Sequence, residues 1–412
     1  MIVTRDQCAA LDLADALAVM RQRFVIPDGL IYLDGNSLGV LPRGVAERID
    51  ATVRKQWGET LIRSWNEHGW FALAQRVGDR IARLIGAPEA SVIAGDTISV
   101  NLFKLLGAAL KLNPDRKVIL SDSGNFPSDL YVAQGLRDLL DDDHVLKVVA
   151  PEEVVAAIDD SIAAVMLTEV DYRSGRLHDM KAVTARAHAA GALTIWDLAH
   201  SAGATLVDLE GARADFALGC TYKYLNGGPG APAFLYVRPD LQDRVEPPLA
   251  GWWGHARPFA FDPAYRPAPG ITRNQCGTQP ILSMAALDAA LDVWDGVDMR
   301  DVRRKSVALC KLFIDLAETR CGRHGVRLAG PRDMEMRGSH VSLHCPEGYA
   351  VMQALIASSV IGDFRAPDMI RFGFTPLYTR YVDVWDAVEH LAGILDHRLW
   401  DRPEFLAKKA VT

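Results

Sequence analysis

Along residues 118–237 the chain alternates short β-branched runs with helical stretches, and no other feature restricts its fold as much. The runs cover 118–120, 144–149, 163–167, 192–196, 216–218 and 234–237, flanked by helical segments such as SVNLFKLLGAALKL and MKAVTARAHAAG. Apolar runs bounded by turns and separated by helices predict parallel strands buried on both faces, a doubly wound α/β sheet. Ligands of such sheets bind beyond the carboxyl ends of the strands, so polar residues there are where chemistry is sought. Upstream, VAERIDATVRKQW and FALAQRVGDRIARLIGA read as helices, the second closed by Gly86 and Pro88. Downstream, a Gly/Pro-rich stretch over 226–232 and a loop over 246–277 close the domain, and 281–316 reads as helix. With 412 residues, too many for one small core, this predicts an arm over 1–40 packing with the small domain, a large domain over 41–280 and a small domain over 281–412.

The composition removes several function classes. A chain that is 49% hydrophobic and 24% charged is globular rather than disordered. A formal net charge of -7 and a pI of about 5.9 argue against nucleic acid or an anionic membrane as partner. The densest basic run, Arg303-Arg304-Lys305, is expected on a solvated helix face. Six cysteines without a C-x-x-C pair suggest neither a metal site nor a disulfide framework, and reduced thiols fit a cytoplasmic setting. Charges at Arg5 and Asp6 rule out a secretory signal in MIVTRDQCAALD, and no run reaches the roughly 18–20 apolar residues that span a bilayer.

Chemistry-bearing residues gather at the strand ends. In ALTIWDLAHSAGA, Asp197 closes a strand and His200 follows three residues on. A carboxylate there can hold a pyridinium nitrogen protonated, or simply cap the next turn. After the next strand, GCTYKYLNGGPG sets Lys223 between Tyr222 and Tyr224, ahead of glycines. An amine in aromatic surroundings can form an imine, and glycines let the backbone approach a ring closely. In AGDTISVNLFKLL a short strand runs into a helix near Thr97, Ile98 and Ser99, an anion cup or a plain N-cap. FPSD opens another helix: Phe126 offers a flat face, Pro127 suits the first turn, and Ser128 or Asp129 can meet polar atoms. On these residues alone the chain is a pyridoxal-phosphate enzyme acting on amino acids, with aminotransferase, desulfurase and non-catalytic regulator readings still open. There is no G-x-S-x-G elbow for a serine hydrolase, no Cys between 361 and 378 for a desulfurase, and no basic extension for a regulator.

YLDGNSLG, FPSD, WDLAHSAGA, CTYKYLNGGPG, GWWGH, CGTQPIL and RFGFTPLY, in this order from 32 to 378, together resemble the kynureninase family. The resemblance implies a pyridoxal-phosphate-dependent transferase-like fold of type I: a mostly parallel seven-stranded sheet in the large domain and a smaller α+β C-terminal domain. It implies hydrolysis of L-kynurenine to anthranilate and L-alanine in tryptophan degradation, and of 3-hydroxykynurenine less well. Lys223 would hold pyridoxal 5'-phosphate covalently, Asp197 would face its ring nitrogen and Phe126 would stack on the ring. Ile98, Ser99, Tyr222 and Trp252 would surround the phosphate with Thr278, while Asp129, Thr168 and His200 fill the remaining cofactor positions. Trp252 and Thr278 would come from a neighbouring chain, implying a homodimer with shared sites. Thr278 stands where animal relatives that favour the 3-hydroxylated substrate carry Asn. Arg371 is the candidate for the substrate carboxylate, because a guanidinium fork matches two oxygens, although an internal ion pair would use it equally well. Ser37 and His68, with Trp65, Trp70 and Trp253, are candidates for the aryl pocket, and Tyr222 for proton transfer.

Overall fold

A computed structural model of the chain describes residues 3–140 and 143–408. Seven strands form the large sheet: β1 (Val92–Ala94), β2 (Val118–Asp122), β3 (Val145–Val149), β4 (Ile162–Thr168), β5 (Leu193–Asp197), β6 (Phe216–Gly219) and β7 (Phe234–Val237). Their spatial order is β1-β7-β6-β5-β4-β2-β3. All seven residues of β4 are buried, and successive side chains point to opposite faces, so layers cover the sheet on both sides. Neighbours are parallel except at β7, which runs antiparallel to both β1 and β6, against the expectation that this run is one more parallel strand. Parallel return needs a helical crossover, and the Gly/Pro-rich stretch over 226–232 cannot supply one.

The helices that frame the site start where capping chemistry sets them. α1 spans Leu73–Leu84; α2 (Ile98–Leu112) is capped by Thr97, whose hydroxyl accepts from Val100 N. α3 (Pro127–Leu140) begins on proline, and α4 (Met180–Ala190) runs from an Asp179 cap to Gly191 at φ +80°. Over 45–57 the backbone departs from the regular helix expected for VAERIDATVRKQW. Helix Val45–Ala51 widens into π turns over Thr52–Thr60, then short turns lead toward α1.

A second apolar cluster lies around a four-stranded antiparallel sheet, β8 (Arg327–Leu328), β9 (His340–His344), β10 (Asp363–Arg365) and β11 (Met369–Gly373), in the order β10-β11-β9-β8. The expected continuous helix over 281–316 is interrupted. Ile281–Ala290 ends in a tight turn over Leu291–Trp294, and Asp298 caps a new helix, α5 (Met299–Cys321). α5 joins the two clusters, with Val302 in the first and Leu309 in the second. The N-terminal arm also touches both: Leu17, Met20 and Phe24 pack into the first, Cys8 and Leu33 into the second. The basic run on α5 is not a solvated face. Lys305 is buried, pairs with Asp15 at 2.6 Å and donates to the Pro376 carbonyl, and only Arg304 is exposed. No helix among the described residues is long and apolar enough to cross a membrane.

Candidate active site

A cavity of about 280 Å³ opens at the carboxyl ends of β4, β5 and β6. Asp197 is the last residue of β5; it is buried, and its Oδ1 accepts from Ala199 N at 2.8 Å, fixing the turn that carries His200. Lys223 lies four residues beyond β6, in a turn closed by Asn226 N to the Lys223 carbonyl (3.0 Å) and Gly227 N to the Thr221 carbonyl (2.8 Å). These two turns bring Lys223 Nζ within 3.0 Å of His200 Nε2. The Lys223 Nζ also stands 5.9 Å from the centre of the Tyr222 ring. Burial pushes the Asp197 carboxyl up to about 6, against the pull of Lys223 and the Ala199 N–H. Burial drives His200 well below its ordinary value, with Lys223 adding to the effect. Burial, then Cys220, raises the Tyr222 phenol.

The other walls come from helix starts. Ile98 and Ser99 present the first turn of α2, whose leading amides have no partner inside the helix. Phe126 and Ser128 line the opposite side, and the Phe126 ring meets the Tyr172 ring edge-on at 5.1 Å. Behind them, Thr168 Oγ1 donates to Asn125 Oδ1 at 2.5 Å, and Asn125 Oδ1 also accepts from Phe126 N at 2.7 Å. Asp129 is 1% exposed, and neither carboxylate oxygen finds a partner among the described residues. Burial and the nearby Asp197 raise its carboxyl well above the usual range. Two buried carboxyls facing an amine and an imidazole make a site for a ligand with a protonatable nitrogen and an electrophilic carbon. The helix start adds a seat for an anion.

Arg371, on β11, is 1% exposed and clamps Asp363: Nε donates to Oδ1 at 2.9 Å and Nη2 to Oδ2. Nη1 donates to the Tyr172 carbonyl at 2.5 Å and Nη2 to Ser37 Oγ at 3.0 Å, while Ser37 Oγ donates to Asp363 Oδ2 at 2.8 Å. Four of the five guanidinium N–H groups are thus used among the described residues. Burial pushes Asp363 up, but Arg371 overrides it and holds the carboxyl low. Neighbouring Asp34 goes the other way, raised to about 7 by burial and by Asp363.

Of the residues singled out from the sequence, Ile98, Ser99, Phe126 and Ser128 line one cavity. Thr168, Asp197, His200, Tyr222 and Lys223 line it too. Pro127 and Asp129 sit in the same helix start just behind. Ser37 joins Arg371 at 3.0 Å. Trp252 and Thr278 are exposed and line another part of this chain's surface; Thr278 stands near Asp96 and Lys104. His68 is exposed, 3.1 Å from Thr60 Oγ1, and not at this cavity. Trp65, Trp70 and Trp253 form an aromatic cluster with Phe71 away from it. Tyr172, Asp363 and His340 were not singled out. Tyr172 lies in a hairpin without a strand-end signal, and an Asp eight residues before an Arg identifies no pair until β10 and β11 are aligned. A larger groove of about 770 Å³ lies between the arm and helix Tyr381–Asp396, and two of its arginines pair with Asp383, Arg21 at 3.1 Å and Arg380 at 2.6 Å.

The architecture matches solved structures over most of the chain. An apo cysteine desulfurase from Thermococcus onnurineus NA1 superposes with a TM-score of 0.75, covering 92% of this chain and 98% of that one at 20% identity. A C-DES variant with glycine covalently linked to its PLP cofactor gives 0.76 over 90% and 98%, at 17% identity. Fold and site together define a fold-type-I α/β protein with a lysine, an aspartate and an anion seat at its strand ends. Sequence comparison goes further. A protein of Pseudomonas fluorescens described as kynureninase is 54% identical over 416 residues, covering 100% of both chains. One from Burkholderia pseudomallei strain 1106a is 55% identical over 414 residues, 99% of this chain and 100% of that one. Residues 302–391 match the kynureninase C-terminal domain family. The chain belongs to the kynureninase family.

Proposed function

We propose that the cavity holds pyridoxal 5'-phosphate and hydrolyses L-kynurenine to anthranilate and L-alanine, the activity of the family, in tryptophan degradation. The reading rests on one observation: an amine, an imidazole and a buried carboxyl converge on one cavity at successive strand ends. The donor set fits the cofactor. Lys223 would hold its aldehyde, Asp197 its ring nitrogen with Asp129 behind, and Phe126 its face. Ile98, Ser99 and Tyr222 would hold its phosphate. The two Asp129 oxygens, buried without partners among the described residues, are polar atoms that a ligand here can satisfy. When bound, the cofactor supplies an electron sink for charge formed at the substrate Cα.

The chain's own groups do the rest. Arg371 takes the α-carboxylate through its remaining N–H, with Ser37 turning from Asp363 as a second donor. Asp363 holds the fork in plane, so Cα faces Lys223. The Lys223 amine removes the α-proton, and His200 Nε2, 3.0 Å away, steadies that nitrogen. Tyr222, kept protonated by burial, can give a proton when water adds to the γ-carbonyl and the Cβ–Cγ bond breaks.

A homodimer completes this site with Trp252 and Thr278 of a neighbouring chain. Support comes from their exposure, and from the aromatic surface Trp252, Phe259 and Phe261 that this chain leaves uncovered. Cytoplasmic location follows the same proposal. Loaded protein should release anthranilate from kynurenine, read by fluorescence, with a higher kcat/KM than for 3-hydroxykynurenine. A faster reaction on the 3-hydroxy compound would overturn the substrate order, and no anthranilate would overturn the function.

A further inference from the structure

His340 opens β9, opposite Gly373 of β11, and is wholly buried. Its ring centre lies 5.3 Å from that of His200, at 55°. Among the described residues neither nitrogen of His340 reaches a partner at full hydrogen-bond geometry, although the Asp171 backbone lies near enough to act on its ring, and His200 Nδ1 has none either. Buried polar atoms without partners are rare, and here three occur on two facing rings. The enclosure is tight: a Cβ on Gly175 would lie 2.8 Å from the His340 carbonyl and 3.4 Å from Nε2. The charged groups that act most on the pair are the cations Lys223 after β6, Arg371 on β11, Arg337 ahead of β9 and Arg365 on β10. Arg371 and Arg365 are themselves paired with Asp363, and Lys223 shares the cavity end with the carboxyls of Asp197 and Asp129. Asp171 contributes only backbone. Burial and these cations keep both imidazoles neutral. A neutral imidazole has one N–H and one lone pair. With the Lys223 nitrogen donating across the 3.0 Å contact, His200 offers the lone pair at Nε2 and carries its proton on Nδ1. That proton needs an acceptor, and the facing His340 ring supplies one, directly or through one water.

We infer that His340 is a positioning residue for the reaction, fixing the proton of His200 on Nδ1 so that Nε2 remains an acceptor for Lys223. The inference rests on Lys223 being the cofactor-bearing residue. It is tested by titrating the visible absorbance band of the loaded protein in wild type, H340F and H340Q. Without an acceptor, His200 can turn an N–H toward Lys223 and disfavour its protonated nitrogen. The midpoint in H340F should fall by about one pH unit, with kcat down about tenfold and KM within about twofold. H340Q, whose amide oxygen accepts, should restore both to within about 0.3 unit and about threefold. Wild-type titration in H340F, or equal shifts in H340F and H340Q, would overturn the inference. If H340F does not fold, nitrogen NMR of histidine-labelled wild type decides: Nδ1–H on His200 supports it, Nε2–H overturns it. A wild-type protein without any visible band sinks the Lys223 reading and this one together, whereas an intact band that H340F leaves unmoved sinks only this one.

Discussion

Asp197 and Arg371 show opposite uses of burial. The Asp197 carboxyl, raised to about 6 by burial with only one backbone N–H to hold it, has an oxygen left for a ligand. Asp197→Asn should keep cofactor bound yet slow exchange of the substrate α-proton by orders of magnitude, since an amide gives no charge-assisted bond to a ring nitrogen. Exchange measured in deuterated water at the wild-type rate would make Asp197 a turn residue. Arg371 is almost fully engaged by Asp363, Ser37 and Tyr172. A lysine there keeps the charge but not the fork. Arg371→Lys should lose roughly 1.5–3 kcal/mol in transition-state binding, about ten- to hundredfold in kcat/KM, with the cofactor spectrum intact. Unchanged kcat/KM with a lowered melting temperature would leave only the ion pair with Asp363. The sequence made Asp197, His200 and Lys223 legible because each ends or follows an apolar run. It did not make Asp363, His340 or Tyr172 legible, because their placement arises from cross-strand register and a hairpin docked against a second sheet.

Among the elements, the turn that carries Lys223 is held from outside the sheet. Gly39 N donates to the Tyr222 carbonyl at 2.7 Å, and a Cβ on Gly39 would lie 2.3 Å from the Lys223 carbonyl and 2.7 Å from Asn226 Cα. YLDGNSLG is therefore a strap against the lysine turn, which explains why small residues recur in it. Gly39→Ala must push two backbones apart and should destabilise by about 1–3 kcal/mol while weakening cofactor retention. Denaturation and cofactor release measured together test this, and a variant matching wild type in both would remove the strap. Caps and strand ends were readable here, since Thr97, Pro127 and Asp179 announce helix starts. The π turns over Thr52–Thr60 and the reversal of β7 were not, because both depend on what the chain packs against rather than on local propensity.

For the molecule as a whole, Glu169 couples pH to stability. It follows β4 and is 6% exposed; burial lifts its carboxyl to about 7 from an ordinary 4.5, against Ser201 and Arg303. The folded chain binds this proton more tightly, so the contribution is full below 4.5 and is lost as pH rises through 7. The penalty at higher pH is on the order of 2–3 kcal/mol. Thermal melts of Glu169→Gln should therefore gain on wild type between pH 5 and pH 8, by roughly 2–4 °C. An equal difference at both pH values would mean that Glu169 does not titrate across folding. Asp34, at about 7, slopes the same way. The two-cluster plan was legible from the alternation of strands and helices, but the arm's split between both clusters was not, since apolar residues there carry no sign of which core they enter. What joins fold, site and family is the proposed covalent role of Lys223, and borohydride reduction of the loaded protein followed by peptide mass mapping tests it directly. The expected result is a phosphopyridoxyl group on the peptide containing Thr221-Tyr222-Lys223-Tyr224, with loss of kynurenine hydrolysis. A label on buried Lys104 or another lysine, or none, would contradict it.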